Sequence, residues 1–325
     1  MNWNLRAMTA ADVPQVAAME RACFSDPWPE QVLAKELENE LSLWLVAAKG
    51  ETVLGYVGSQ TVLGEADMMN LAVGAEHRRQ GIAAALGLGV PLVPVHHIRG
   101  HIAANYLAYP ELEPPFLCLV VSGGHSMIVD VQDYTKFRIL GSTRDDAAGE
   151  CFDKVSRVLG MPYPGGAALD RMAQTGDAEK YPLPHTKLSG NPLDFSFSGL
   201  KTAALNLIHQ HEQKGEEIDV PSLCASFSKA VSEMLVPRTM QALRETGYRK
   251  LAIAGGVAAN SWIRAEFERE CAAMGATLYK PPLKLCGDNG AMIGSQGYYE
   301  YLAGTRAGQE LNAFATRPIS MDYSE

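Results

Sequence analysis

Apolar residues recur at helical spacing near the start of the chain and at strand spacing soon afterwards. A helix is predicted over residues 10–23, behind a capping box formed by Thr9 and Asp12. The elements predicted next are a second helix after Pro29, strands over residues 43–48, 53–63 and 68–73, and a helix that follows Arg78. This order of helices and strands predicts a mixed α/β unit.

The pattern changes after residue 86, where apolar runs alternate with polar segments that contain glycine. A buried strand over residues 90–95 is predicted to lead into a helix with two histidines, and a β-hairpin over residues 116–131 follows. The elements predicted after the hairpin are a helix over residues 149–154, a helix carrying Asp170, a helix from about residue 198, a long helix over 221–246, a strand over 251–254 and a helix over 289–302. Strands and helices in this order predict a second α/β unit.

Composition restricts where the chain works and what it binds. Its 325 residues are 47% hydrophobic, enough for two or three domains with cores of their own. A formal net charge of −9 excludes a large basic surface, so RNA would be held by local patches or by a partner protein. Six cysteines without Cys-x-x-Cys pairs, no long apolar segment and no leader-like start predict a cytoplasmic protein with no membrane contact.

Two histidines in the predicted helix, His97 and His101, are spaced i, i+4 and therefore lie on one face. Such a pair is more often structural than metal-binding unless a third ligand is available. Asp288, just before the last predicted helix, can supply that ligand. Two imidazoles and one carboxylate leave coordination positions open for a substrate, which is typical of catalytic metal sites.

Glycine turns end two of the predicted strands in the second unit. The first turn contains Ser122, Gly123 and Gly124, and the second contains Gly255 and Gly256. Backbone N–H groups can converge on an anion at such turns because no Cβ blocks the approach. With the metal pair, they predict one site for a phosphorylated substrate or nucleotide. Two such turns separated by helices also predict an actin-like/hexokinase-like (ASKHA) ATPase fold.

Residues 1–86 resemble the N-terminal half of the GNAT acetyltransferases, most closely the ribosomal-protein-alanine N-acetyltransferases. The resemblance rests on the order of elements and on a basic, glycine-containing turn into a helix, where amides can bind a pyrophosphate. It implies acetyl-CoA binding by Arg78, Arg79, Gly81 and Ala83. The later strand, helix and general-acid tyrosine of these enzymes have no counterpart downstream, so we expect no useful acetyl transfer.

Residues 87–325 resemble the tRNA threonylcarbamoyladenosine transferase (TsaD-like) family. The matching motifs occur in the family's order: His97 with His101, then residues 121–125, 145–150, 152–154, 163–166, 194–201 and 254–257, then Asn260 and residues 288–289. The resemblance implies an ASKHA domain that lacks part of its first lobe, because family members begin with a hairpin and a phosphate loop absent from residues 1–86. We therefore expect two domains, a partial GNAT domain over residues 1–86 and a truncated transferase domain over 87–325.

The resemblance also implies roles for individual residues. It makes His97, His101 and Asp288 the ligands of one divalent metal, Fe²⁺ or Zn²⁺. It implies that substrate, threonylcarbamoyl-AMP or ATP/ADP, is bound by Val120, Val121, Ser122, Gly123, Gly124, Asp153, Gly166, Asp170 and Asn260. Arg99 stands where many members have glutamate and is not a ligand. No catalytic base is evident.

The implied reaction is transfer of a threonylcarbamoyl group to the exocyclic amine of adenosine 37 in tRNAs that read ANN codons. Its implied partners are tRNA and the bacterial TsaB-like and TsaE-like proteins. A metalloprotease is excluded because Ile98, not a glutamate base, follows His97. Two alternatives stay open: an acetyl-CoA-dependent N-terminal alanine acetyltransferase, and a catalytically inactive fusion that binds nucleotide.

Overall fold

The computed structural model contains two compact units, one formed by residues 1–94 and 305–316 and the other by residues 95–304 and 317–325. No helix in the described part of the chain is long and apolar enough to cross a membrane. The residues whose structure is described are 3–62, 65–78, 82–83, 93–184, 188–307, 317–321 and 323.

In its described residues, the first unit contains a four-stranded antiparallel sheet in the order β1-β2-β3-β4 and the two helices named below. The strands are β1 (Asn4–Ala7), β2 (Ser42–Lys49), β3 (Thr52–Val62) and β4 (Glu65–Val73), and the helices are α1 (Val13–Cys23) and α2 (Glu30–Glu36). All of the elements predicted up to residue 73 are confirmed. A short 3₁₀ turn at Ala10–Asp12 precedes α1, where the Asp12 carboxylate accepts a hydrogen bond from the Thr9 N–H at 2.8 Å.

One carboxylate is fully buried in the first unit. Glu20 accepts hydrogen bonds from the Tyr56 hydroxyl, from the Asn70 amide at 2.6 Å and from the Trp28 backbone N–H at 3.1 Å. Burial, followed by the hydrogen bond to Glu20, raises the pKa of Tyr56. Glu20 thus ties α1 to β3, β4 and the segment before α2, since a buried carboxylate is stable only when its lone pairs have donors.

The second unit is built on a five-stranded mixed sheet in the order β7-β6-β5-β8-β9. Its central strand β5 pairs antiparallel with β6 and parallel with β8. The strands are β5 (Phe116–Val121), β6 (Ser126–Asp133), β7 (Lys136–Ser142), β8 (Lys250–Ala254) and β9 (Thr277–Tyr279). Both faces of β5 are covered, so every residue of this strand is buried, as its uninterrupted apolar sequence predicts.

Helices cover the two faces of this sheet. Leu117 and Leu119 belong to a large apolar cluster with the helices from residue 148 onward, whereas Cys118 and Val120 pack with Ile98 and Ile102. The helices are α3 (His97–Ala108), α4 (Ala148–Val158), α5 (Gly165–Ala173), α6 (Ser198–Lys214), α7 (Val220–Thr246), α8 (Ser261–Met274) and α9 (Gly290–Leu302). The helices predicted over this part of the chain are confirmed, and this layered α/β arrangement carries both glycine turns at the ends of neighbouring parallel strands.

One predicted strand is wrong in the part that the structure describes. Residues 93–96 have no strand conformation, and Val93, Val95 and His96 are only partly buried. Pro94 has no N–H to donate to a sheet ladder, and neither sheet described here pairs with this segment. Residues 90–92, and most of the predicted helix after Arg78, lie outside the described residues.

Candidate metal and nucleotide site

Three candidate metal ligands come together at the start of α3. His97 and His101 lie one turn apart on the same face of α3, with ring centroids 4.8 Å apart in an edge-to-face arrangement. Asp288 lies in the loop before α9, and its Oδ1 is 3.3 Å from His97 Nε2 and 3.2 Å from His101 Nε2. The three donor atoms all lie within 4.8 Å of one another, so the predicted trio shares one point in space.

Packing of α9 against α3 delivers Asp288 to the histidines. Ser295 Oγ donates to the Ala103 carbonyl at 3.0 Å, and Asn289 caps α9 by accepting the Met292 N–H at 2.9 Å. The cap fixes the first turn of α9, and Asp288 is the residue immediately before it. A ligand from a loop is therefore held by a capped helix that contacts the histidine-bearing helix directly.

The chemistry of these donors fits a divalent metal. Burial, and secondarily the neighbouring His97, lowers the pKa of His101. Neutral imidazole is the form that ligates a metal. His101 Nδ1 is buried without a hydrogen-bond partner in the described part of the chain. Asp288 is 74% exposed at its side chain and His101 only 2%, so the trio is anchored on one side and open to substrate on the other.

The predicted phosphate turn, residues 122–124, connects β5 to β6. The turn is closed by the Ser122 N–H, which donates to the His125 carbonyl at 2.8 Å. A Cβ on Gly123 or Gly124 would meet no atom within 4 Å, so the outer side of the turn is open. Val120 and Val121 are buried in the sheet. Both residues are buried as whole residues, and their contact with a phosphate stays a prediction.

Two glycines allow other elements to approach this turn. A Cβ on Gly149, in the first turn of α4, would lie 2.5 Å from the Ser122 carbonyl oxygen. A Cβ on Gly255, which has a φ of +91°, would lie 2.4 Å from the Val121 carbonyl oxygen. The N-terminus of α4 and the second glycine turn therefore both contact the phosphate turn, and helix N-termini favour anions.

His125 closes the phosphate turn on the side of β6. Its pKa is lowered by burial first and then by its electrostatic interaction with His96 and His97. Ile98 and Ile102 of α3 pack in one apolar cluster with Cys118 and Val120 of β5, so the helix that carries the histidines contacts the strand that leads into the turn. No separate role was predicted for His125, although it closes the matched motif 121–125.

The predicted nucleotide-pocket residues lie on α4, α5 and the start of α8. Asp153 accepts the Gly165 N–H at 2.8 Å, which joins α4 to the start of α5. Asp170 accepts the Ser261 N–H at 3.1 Å, and Asn260 caps α8 by accepting the Ile263 N–H at 3.0 Å. Gly166 has no close neighbour at its Cβ position. These contacts join the three helices, and the nucleotide-binding roles stay predictions.

Sequence reasoning missed a charged cluster at the starts of α4 and α6. The Asp146 carboxylate accepts hydrogen bonds from Lys201 Nζ and from Ser198 Oγ, the latter at 2.8 Å. The hydrogen bond from Lys201 is the main cause that lowers the pKa of Asp146 to about 2. Asp146 and Lys201 lie in the matched motifs 145–150 and 194–201, and this was the feature of the sequence that could have indicated the cluster. The cluster fixes α4, and hence Gly149, beside the phosphate turn.

The predicted acetyl-CoA residues can be followed only in part. Arg79 and Gly81 lie outside the described residues, and Ala83 is exposed. Arg78 Nε donates to the Val73 carbonyl at 3.1 Å, and its Nη2 lies 3.5 Å from Cys23 Sγ. Arg78 is thus engaged with its own unit, at the end of β4.

Comparison with known proteins decides the family. A family model described as tRNA N6-adenosine threonylcarbamoyltransferase matches residues 71–295. A curated relative of that name from Clostridium botulinum is 49% identical over 243 residues, which cover 75% of this chain and 71% of the relative. The chain belongs to this family. A threonylcarbamoyltransferase from Moorella thermoacetica is 50% identical over 236 residues, 73% of this chain and 69% of the relative.

Solved structures support the fold of the threonylcarbamoyltransferase part. HypF, solved in a phosphate- and nucleotide-bound form, has a TM-score of 0.51 and 14% identity, over 76% of this chain and 45% of HypF. At this identity the likeness shows the fold alone, and it confirms the ASKHA-type prediction.

The start of the chain matches a different family. The acetyltransferase (GNAT) family model matches residues 13–86. The ribosomal-protein-S18-alanine N-acetyltransferase of Escherichia coli is 26% identical over 26% of this chain and 54% of that chain, with a TM-score of 0.24. The GNAT resemblance of the first unit is confirmed by the family model.

Proposed function

We propose that this chain transfers a threonylcarbamoyl group from threonylcarbamoyl-AMP to the N6 amine of an adenosine in tRNA. One observation carries the proposal: in a chain of this family, His97, His101 and Asp288 converge at α3, which packs on the strand that leads into the phosphate turn. We further propose that residues 87–325 form the transferase domain and residues 1–86 the partial GNAT domain.

The metal ligands would be Nε2 of His97, Nε2 of His101 and a carboxylate oxygen of Asp288. A divalent ion bound there, Fe²⁺ or Zn²⁺, would polarise a carbamoyl or phosphate oxygen and stabilise the charge that develops as AMP leaves. The exposed side of Asp288 leaves room for the substrate. Burial of His101 and the contact between α3 and α9 fix the ligands before substrate arrives, which limits the reorganisation required.

The rest of the site would bind and orient the nucleotide. The backbone amides of Gly123 and Gly124 and the N-terminus of α4 would face the phosphate, while Asp153, Gly166, Asp170 and Asn260 would line the nucleotide pocket. In the transfer step, adenosine N6 forms a bond to the carbamoyl carbon and the bond from that carbon to the AMP oxygen breaks. AMP leaves with the bonding electrons, and the N6 proton passes to solvent or phosphate. The enzyme's part is positioning and charge stabilisation.

The partners follow from the charge of the chain and its family. With a net charge of −9, the chain has no large basic surface for tRNA, so we propose that TsaB-like and TsaE-like proteins complete the tRNA-binding assembly. All six cysteines are free thiols, and burial raises the pKa of Cys118 and Cys151. Unpaired, buried thiols agree with the proposed cytoplasmic location.

Gly149→Ala should weaken binding of AMP and ADP by about tenfold, because the new methyl group would push the phosphate turn away from α4. The measurement is calorimetric titration of the full chain with each nucleotide. The control is Gly294→Ala, which adds a methyl group to open space in α9 and should leave both affinities unchanged. Gly160→Ala would not serve, because Gly160 has a φ of +72° and alanine would be strained there. Equal affinities for wild type and Gly149→Ala would show that the phosphate turn does not belong to the nucleotide site.

The proposed reaction is tested by supplying the full chain with tRNA, threonine, bicarbonate, ATP, the adenylate synthase and the partner proteins. Modified adenosine is then quantified by mass spectrometry after nuclease digestion of the tRNA. We expect a signal above the blank that lacks this chain. A signal equal to that blank would overturn the proposal.

A second candidate function, acetylation of a peptide N-terminus, is favoured only by the family match over residues 13–86. We expect acetyl-CoA turnover with an alanine-starting peptide at the background rate, because no downstream tyrosine or carboxylate completes the catalytic half. The measurement is transfer of labelled acetyl groups to the peptide, with Gly81→Trp as the variant that blocks the predicted cofactor turn. Turnover that Gly81→Trp abolishes would establish the acetyltransferase.

A further inference from the structure

Arg99, the largest fully buried side chain among the described residues, lies in α3 between the two histidine ligands in sequence. Its Nε donates to the Ile319 carbonyl at 2.9 Å, its Nη1 to Glu300 at 2.7 Å, and its Nη2 to the Met321 carbonyl. Two of these three partners belong to the segment of residues 317–323, which we call the C-terminal strap. A residue two positions from each histidine therefore holds a segment more than two hundred residues away in sequence.

Two aromatic rings also pack against the guanidinium. Its central carbon lies 4.9 Å from the ring centroid of Phe137 and 4.8 Å from that of Tyr323. Glu300 is 1% exposed and also accepts a hydrogen bond from Gln296 Nε2 at 2.9 Å, so two side-chain donors meet this buried carboxylate. A planar guanidinium with directed donors makes such contacts, and a lysine ammonium cannot reproduce them.

The strap contacts α3 at a second point. His96 caps the helix, because its Nδ1 accepts the Ile98 N–H at 3.2 Å. The proton of this neutral ring is then on Nε2, which donates to the Arg317 carbonyl at 2.8 Å. Ile319, 2% exposed, packs in the same apolar cluster as Ile98 and Ile102. The strap is thus attached to the first turn of α3, on both sides of His97.

We propose that the C-terminal strap positions the metal ligands, with Arg99 as the positioning residue and His96 as a second attachment point. Arg99 acts through the helix: it fixes the rotation and the start of α3, and so the separation of the His97 and His101 imidazoles from Asp288. Groups that support metal ligands without touching the metal typically change metal affinity by about 10- to 100-fold. This inference rests on the metal site of the proposed function.

The test is titration of the full chain with Co²⁺ alone, followed by the visible absorption of the bound ion, which reports the geometry of its ligands. Arg99→Lys should weaken Co²⁺ binding by about tenfold and change the spectrum. Arg138→Lys is the control. Arg138 also pairs with a buried carboxylate of the same unit, that of Asp130, but it contacts neither α3 nor the strap in the ion pair that it forms. It should leave Co²⁺ affinity within about twofold of wild type.

A chain shortened before Arg317 removes the strap without changing the sequence of α3. It should bind Co²⁺ as weakly as Arg99→Lys, and adding Arg99→Lys to it should have almost no further effect on affinity, because both backbone carbonyl partners are already gone. If Arg99→Lys does not fold, the shortened chain alone decides. Wild-type affinity and spectrum in the shortened chain or in Arg99→Lys would overturn the inference, as would equal weakening in Arg138→Lys.

His101→Ala separates this inference from the proposed metal site. Loss of Co²⁺ binding in His101→Ala, with unchanged binding in Arg99→Lys, would overturn the strap and leave the metal site standing. Unchanged binding in His101→Ala would overturn the metal site itself.

Discussion

His101→Ala should lose stoichiometric metal, whereas the wild-type chain should carry about one divalent ion. His101 is the most buried of the three ligands and provides its Nε2 3.2 Å from the Asp288 carboxylate. Without it, one imidazole and one exposed carboxylate remain, and two donors are too few to hold an ion against water. The measurement is elemental analysis of purified protein after dialysis. Asp288→Asn should also lose metal, since an amide oxygen has no net charge with which to attract a cation.

His209→Ala is the control for this prediction. His209 lies exposed on α6, remote in sequence from the three ligands, so its removal should leave metal content unchanged. Equal metal content in wild type and in His101→Ala would show that these residues do not form the metal site. Loss of metal in His209→Ala would mean that the ion is held by surface histidines instead.

The sequence predicted the elements of both units well because their cores follow local patterns. The uninterrupted apolar run of β5, the long helical pattern of α7 and the glycines after β5 and β8 each act within a few residues. The sequence offered Asp288 as a candidate third ligand, and the family resemblance supported that choice. The convergence itself depends on packing of α9 against α3, which no local pattern shows. The structure brings the three donors together, and their role in binding metal stays a prediction.

Contacts between distant segments were not predictable. The local pattern predicts Arg99 as a polar residue on the exposed side of an amphipathic helix. It is instead buried, and it donates hydrogen bonds to Glu300 and to the carbonyls of Ile319 and Met321. Lys201 and Asp146 likewise meet across more than fifty residues. The strand predicted around Val93 was wrong because the local pattern was present but its distant partner was not. Its apolar pattern suits a strand, but a strand forms only where a partner edge exists, and Pro94 removes one donor.

Threonylcarbamoyl transfer by this chain should be far slower than transfer by an intact relative. The family match begins at residue 71, and residues 13–86 match the GNAT family instead. The chain matches 71% of the Clostridium botulinum relative. We expect the unmatched part to include the opening hairpin and phosphate loop that the family resemblance implies. Loss of one preorganised donor typically costs ~3 kcal/mol of transition-state stabilisation, or about a hundredfold in rate. A missing loop removes several donors.

Nucleotide binding should survive that loss better than the rate does. The phosphate turn, Gly149, Asp170 and Asn260 all lie in the second unit and depend on contacts within it. We therefore expect measurable binding of AMP or ADP in a chain whose transfer is slow. This separation distinguishes an impaired catalyst from a misfolded one, which would lose both properties together.

The most direct measurement is the initial rate of adenosine modification in the reconstituted system, with this chain, its His101→Ala variant and the Clostridium botulinum relative assayed side by side. We predict measurable modification by this chain, at a rate at least about a hundredfold below that of the relative, and no modification by His101→Ala. Modification at the relative's rate would show that residues 1–86 replace the missing lobe. Modification that is unchanged in His101→Ala would contradict the metal-assisted site at the centre of the account.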